Sequence, residues 1–207
     1  MLQELFQFFG RAICHQLEER TLLVSGDFLS VCARDTGIYI GIFSSLFYLH
    51  MLKRKKQITI PTIKMSLFLL LLMGPLVIDG IGSYSHLFES TNERRLITGI
   101  SFGLALPYFL YPLALGKALK KDALPVITNG WDVLIPVIFS CIIGSIIYMG
   151  RVPHVLVDGF IILMIIIWFS LCASFLFSQF RLQWLLAVTA GLAFLSILSI
   201  LHGMIIS

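Results

Sequence analysis

The sequence predicts an all-α, polytopic membrane protein: six transmembrane helices preceded by an amphipathic helix. Three observations carry that prediction. Of the 207 residues, 58% are hydrophobic and only 13% charged, with a mean hydropathy of +0.95. Soluble domains are about half apolar and a quarter charged, so this chain holds more apolar side chain than one such domain can bury. The charges fall in clusters, and the runs between them reach the roughly 17 to 25 residues that cross a bilayer. Those runs are continuously apolar, without the in-out alternation of a membrane β-barrel. A soluble enzyme, a disordered chain and a disulfide-dense secreted module are excluded together.

Residues 1–18 have neither a basic start nor a small-residue cleavage site, so they do not read as a signal peptide. Leu2, Leu5, Phe6, Phe9, Ile13 and Leu17 recur at helical spacing, opposite Gln3, Glu4, Gln7, Arg11, Cys14, His15 and Glu18. That pattern predicts a helix lying on the membrane interface. A short polar loop follows, and the interfacial helix and loop together make residues 1–35. Residues 36–207 make the bundle, in a single domain with no flexible linker. Its spans run from Thr36 to Leu52, Met65 to Ser83 (bent at Gly74-Pro75), Leu96 to Gly116, Val133 to Gly150, Val155 to Phe177 and Leu182 to Ile206. Only Ser178 to Arg181 separate the last two, which forces an antiparallel hairpin. Gly37-x-x-x-Gly41 and Gly99-x-x-x-Gly103 predict close helix packing.

Orientation follows from the basic residues, which stay on the cytoplasmic side. Lys53, Arg54, Lys55, Lys56, Lys64, Lys117, Lys120, Lys121 and Arg181 fall on one side, nine in all; the other has six, Arg11, Arg20, Arg34, Arg94, Arg95 and Arg151, diluted by most of the acids. The expectation is a multi-pass cell-membrane protein with both termini extracytoplasmic. Topology accounts for the positive charge, so nucleic-acid binding is not expected.

Ionisable groups at a membrane are costly and are kept with a partner or a task. Most gather at the outer boundary: Cys14-His15-Gln16 with Arg20, then Val31-Cys32-Ala33-Arg34-Asp35-Thr36-Gly37, Asp79-Gly80, and Thr91-Asn92-Glu93-Arg94-Arg95 with Thr98-Gly99. This set resembles the uncharacterised prokaryotic membrane-protein family catalogued as domain of unknown function 2085, over roughly the first half of the chain. In that family the second motif usually reads Cys-Ala-Arg-Cys-Thr-Gly, so Asp35 stands where the resemblance implies a cysteine. The resemblance supplies no reaction.

Three chemistries suit these residues. Cys14, His15, Cys32 and Asp35 are ligand types for zinc or another thiophilic divalent metal, and a carboxylate replacing a thiolate remains a ligand. Cys14 and Cys32, on an oxidising face, suit a disulfide or a thiol-disulfide redox protein, although Cys141 and Cys172 lie in apolar runs where cysteine packs as a small hydrophobe. Arg34, Arg94 and Arg95 with Asn92 form a cluster able to fork onto a phosphate or carboxylate, or else to pair with nearby acids. Asp79, at the end of an apolar span, needs a partner or a function. The preferred reading is an enzyme acting on an anionic lipid or lipid-linked substrate. In it the metal polarises the substrate or activates water, His15 is ligand or base, Asp79 is proton acceptor or orienting group, and the arginines hold the anion. A transporter or channel is the alternative, disfavoured by the few polar residues in the last three spans. His50, His154 and His202 read as structural, with His86 a weak candidate near Asp79. No nucleotide-binding loop, zinc-protease motif or nucleophile elbow occurs.

Overall fold

The computed structural model describes residues 2–53, 57–114, 122–177 and 180–206. Arg54, Lys55, Lys56, Lys117, Lys120 and Lys121, which weigh heavily in the orientation argument, lie outside the described residues, as do Gly116 and Ser178. The chain runs as α1 (Leu2–Arg11), β1 (Thr21–Val24), β2 (Asp27–Cys32), α2 (Ala33–Tyr48), β3 (Ile58–Thr59), α3 (Ile63–Tyr84), α4 (Asn92–Ala114), β4 (Leu124–Pro125), α5 (Trp131–Tyr148), α6 (His154–Ala173) and α7 (Gln183–Ile206).

Among the described residues, five helices, α3 to α7, are long and apolar enough to cross a membrane. The first expected span falls on α2, which is not one of these five: its α-helical part has 16 residues and continues as a π turn over Leu49–Lys53. Helix α2 is the most enclosed of the helices, with Ile40 and Ile42 wholly buried, and it packs most extensively on α4. Glycine makes that approach possible. A side chain at Gly37 would overlap the Leu96 carbonyl, and one at Gly99 the Arg34 carbonyl. Around this pair, α3 and α7 turn most of their apolar surface outward, as at Leu71 and Ile205, which suits lipid and not water.

The helix expected over residues 1–18 ends at Arg11, and the stretch expected as its last turns and a polar loop instead forms a 3-10 turn (Glu18–Arg20) and an antiparallel hairpin. Its Ser25-Gly26 tip has positive φ at both residues, 51° and 92°, the twist that a two-residue hairpin favours. Ser25 seals the tip, its N–H donating to the Gly150 carbonyl (3.0 Å) and its hydroxyl to that of Val152 (2.7 Å). The Ser30 N–H donates to Asp158 Oδ1 (2.8 Å) on α6. Helix α1 packs on α7, β2 and α6. The hairpin thereby seats α1 over one end of the bundle.

A second polar cluster closes the opposite end. Lys53 Nζ lies 2.9 Å from Asp132 Oδ1, which also accepts from the Tyr48 hydroxyl (2.6 Å), while the Thr128 N–H donates to Oδ2 (2.7 Å). Tyr108 bonds the Asp132 carbonyl. Strands β3 and β4 pair in parallel beside them.

Candidate functional site

The site is built where α1, the hairpin and the first turn of α2 converge. After α1 the chain turns back through Gln16, at φ 55°, so that the Gln16 N–H faces the sulfur two residues earlier, 3.4 Å from Cys14 Sγ. The Gln16 side chain fastens this turn, donating to the Gln7 and Ser30 carbonyls, both at 2.9 Å. Cys32 ends β2 and begins α2, and its N–H also donates to Cys14 Sγ (3.2 Å). Two backbone donors on one sulfur stabilise its anionic form, an arrangement that orients and tunes metal-bound thiolates.

One helical turn on, Asp35 accepts from the Cys32 thiol at 3.1 Å. The Cys14, Cys32 and Asp35 donor atoms all lie within 4.8 Å of one another, the one such group among the described residues. Zinc-sulfur bonds of about 2.3 Å in a tetrahedron set ligand atoms about 3.8 Å apart, so closing this trio around an ion needs about an ångström of movement. The neighbouring Cys32 side chain and the two backbone donors lower the Cys14 pKa, while the neighbouring Cys14 sulfur and burial raise that of Cys32.

His15 is not among the trio. It is exposed, its ring 4.6 Å from that of His202, which holds the Arg11 carbonyl at 2.7 Å. Both histidines help to dock α1 on α7, and His15 also lies on the rim of a cavity of about 240 Å³ that the trio floors. Arg20, Arg34, Arg95 and Tyr84 complete its walls.

Asp79 is wholly buried. Its Oδ2 meets Arg34 Nη2 at 2.5 Å, and its Oδ1 takes Arg94 Nε at 3.1 Å and the Ser90 hydroxyl at 2.6 Å. Of the clustered arginines that the sequence offers as partners for Asp79, Arg34 and Arg94 make the contacts and Arg95 does not. Arg94 also lies over the Phe88 ring. Arg95 points elsewhere, and its Nη1 donates to Asn92 Oδ1 (3.0 Å). Asn92 is a clamp: its amide donates to the Thr21 and Glu19 carbonyls, at 3.1 and 3.3 Å, tying α4 to the hairpin. His86 lines a neighbouring cleft with Arg20, Ser90 and Arg95.

Sequence reasoning did not single out Ser90, Tyr84 or the Gln16 backbone. Ser90 lies in the loop between α3 and α4, whose shortness was the available signal. Cys141 and Cys172 lie away from the site on α5 and α6.

Bundle and site together define a helical multi-pass membrane protein with a thiol-carboxylate cluster at one end. The family model described as "predicted membrane protein (DUF2085)" matches residues 14–109. Two archaeal relatives agree. An uncharacterised protein of Methanocaldococcus jannaschii is 31% identical over 109 residues, 53% of this chain and 68% of that protein. An uncharacterised protein of Methanothermobacter thermautotrophicus is 38% identical over 96 residues, 46% of this chain and 82% of its own. The chain belongs to this family. No solved structure matches it significantly. The matched segment contains every residue of the trio and of the Asp79 cluster, and it ends before α5.

Proposed function

We propose that the protein is a six-span membrane metalloprotein whose Cys14, Cys32 and Asp35 hold zinc or another thiophilic divalent ion at the extracytoplasmic face. The observation that carries this reading is the convergence of the three donors within 4.8 Å, with two backbone N–H groups directed at the Cys14 sulfur. A soft site of two thiolates and one carboxylate leaves the fourth position of a tetrahedral ion to water or substrate, as catalytic zinc sites do. In this reading α2 with its π turn is the sixth span, and α1 lies along the interface as part of the same single domain. The ion would act as a Lewis acid toward an anionic lipid or lipid-linked substrate entering the arginine-walled cavity. His15, on the cavity rim, would serve as base, and Asp79 would orient the arginines.

Cobalt substitution tests the centre. Cobalt bound by the trio gives intense thiolate-to-metal absorption, lost in Cys14→Ser and Cys32→Ser. Cobalt uptake without thiolate bands contradicts the assignment. A redox reading has one specific support, the Cys14 and Cys32 sulfurs lying within 4.8 Å of each other. There the two thiols would form a disulfide while a substrate disulfide is reduced to two thiols. A Cys14–Cys32 bridge in the purified, metal-free protein would favour it.

A further inference from the structure

We propose that Arg95, backed by Arg20, forms an oxyanion subsite beside this metal centre, and that its ligand is a phosphate-type group whose oxygen takes the open metal position. The inference rests on the metal reading above and names what the centre receives.

Arg95 is only 8% exposed. Its one hydrogen bond among the described residues goes to a neutral acceptor, Asn92 Oδ1, and no described carboxylate lies within 4.0 Å of it. A buried guanidinium without a counter-ion is strongly disfavoured. The buried carboxylate nearby, Asp79, is already engaged by Arg34, Arg94 and Ser90. Arg95 borders two spaces, the cavity of about 240 Å³ lined by the trio and the cleft of about 560 Å³ bordered by Ser83, His86, Ser90 and the carboxylates Glu19 and Glu89. Arg20 walls both. Its Nε is held by Glu19 at 3.3 Å and its guanidinium lies 5.5 Å from the centre of the ring of Tyr84, which also lines the smaller space.

Charge accounting gives the ligand its sign. Two thiolates and a carboxylate exceed a divalent cation by one negative charge, and Arg34 with Arg94 exceed Asp79 by one positive charge, so these offset. Arg20 is matched by Glu19. Glu89, on the second cleft, makes no ion pair with Arg95 within 4.0 Å, so in the cavity beside the trio the charge of Arg95 is left over, and an anion bridging it to the ion neutralises it. Guanidinium forks match the paired oxygens of phosphate. The cavity lies below the roughly 300 to 1,000 Å³ of pockets that enclose drug-sized ligands, so it suits a headgroup and excludes an acyl chain.

The test uses the full-length protein in detergent, loaded with cobalt, titrated with inorganic phosphate and separately with dihexanoyl phosphatidic acid. Binding at the open position should change the cobalt spectrum saturably. Arg95→Gln should weaken it at least tenfold at unchanged cobalt content and helicity, Arg95→Lys should recover part of the loss, and Arg151→Gln, an exposed control, should stay within twofold. Response to the lipid alone assigns a lipid headgroup, and response to both assigns the phosphate group itself; either supports the subsite. Loaded cobalt whose spectrum ignores both ligands, or unchanged affinity in Arg95→Gln, overturns it and leaves the metal centre standing. Failure to load cobalt overturns the metal centre instead. Calorimetric titration of the metal-free protein with the same ligands then decides the arginine subsite: saturable binding lost in Arg95→Gln supports it, and no binding overturns it.

Discussion

Arg34, on the first turn of α2, meets Asp79, near the end of α3, at 2.5 Å, and Asp79 is wholly buried. Removing one member of a buried pair strands the other's charge, at a typical cost of about 3 to 5 kcal/mol. Asp79→Asn should therefore lower thermal stability in detergent markedly. Arg94→Gln should cost about 1 kcal/mol or less, because the Arg94 side chain is 46% exposed. Equal effects of the two substitutions would show that the buried pair does not anchor α3.

The α2–α4 contact supplies a second expectation. A methyl group at Gly99 meets the Arg34 carbonyl, whereas one at Gly74 meets nothing within 4 Å. Gly99→Ala should destabilise by about 1 to 3 kcal/mol, the usual cost of overpacking. Gly74→Ala should be near neutral. Thermal melts of both variants in one detergent check this.

The cysteines titrate in opposite directions. The Cys14 pKa lies below the ordinary 9.0, so its contribution to stability is present above pH 9 and lost as pH falls through its folded value. The Cys32 pKa lies above 9.0, so its contribution is full below pH 9 and lost as pH rises beyond it. In metal-free protein at pH 8, a small alkylating reagent should modify Cys14 faster than Cys32, as read by peptide mass spectrometry. Metal affinity should rise with pH, since Cys32 must give up its proton to bind. Faster modification of Cys32 would reverse the assignment of the thiolate.

Orientation has its own check. In intact cells, on a cysteine-free background, Glu89→Cys should react with an impermeant reagent and Lys64→Cys should not. The opposite pattern would put the cavity in the cytoplasm.

Much of this architecture is legible in the residues. Hydropathy locates α3 to α7, and the paired small-residue motifs of α2 and α4 foretell their contact. The hairpin is not, because Thr21 to Val24 is short and has no clean alternation, so only Ser25-Gly26 signals the turn. Nor is the choice of Arg94 over Arg95 for Asp79. Neighbouring helical residues differ by about 100° in direction, and which of Arg94 and Arg95 faces α3 depends on how α4 is rotated by its glycine contact with α2. The thiolate support at Cys14 comes from backbone N–H groups, which residue identity does not reveal.

The central claim is that Cys14, Cys32 and Asp35 hold one metal ion, and metal stoichiometry by elemental analysis of the purified protein tests it most directly. Wild type should carry about one zinc or similar thiophilic ion per chain, Cys32→Ser should lose most of it, and Asp35→Cys should keep or tighten it, since thiolates are good zinc ligands. Wild-type protein purified without chelator that contains no such ion, and takes up none when zinc is supplied, would contradict the account.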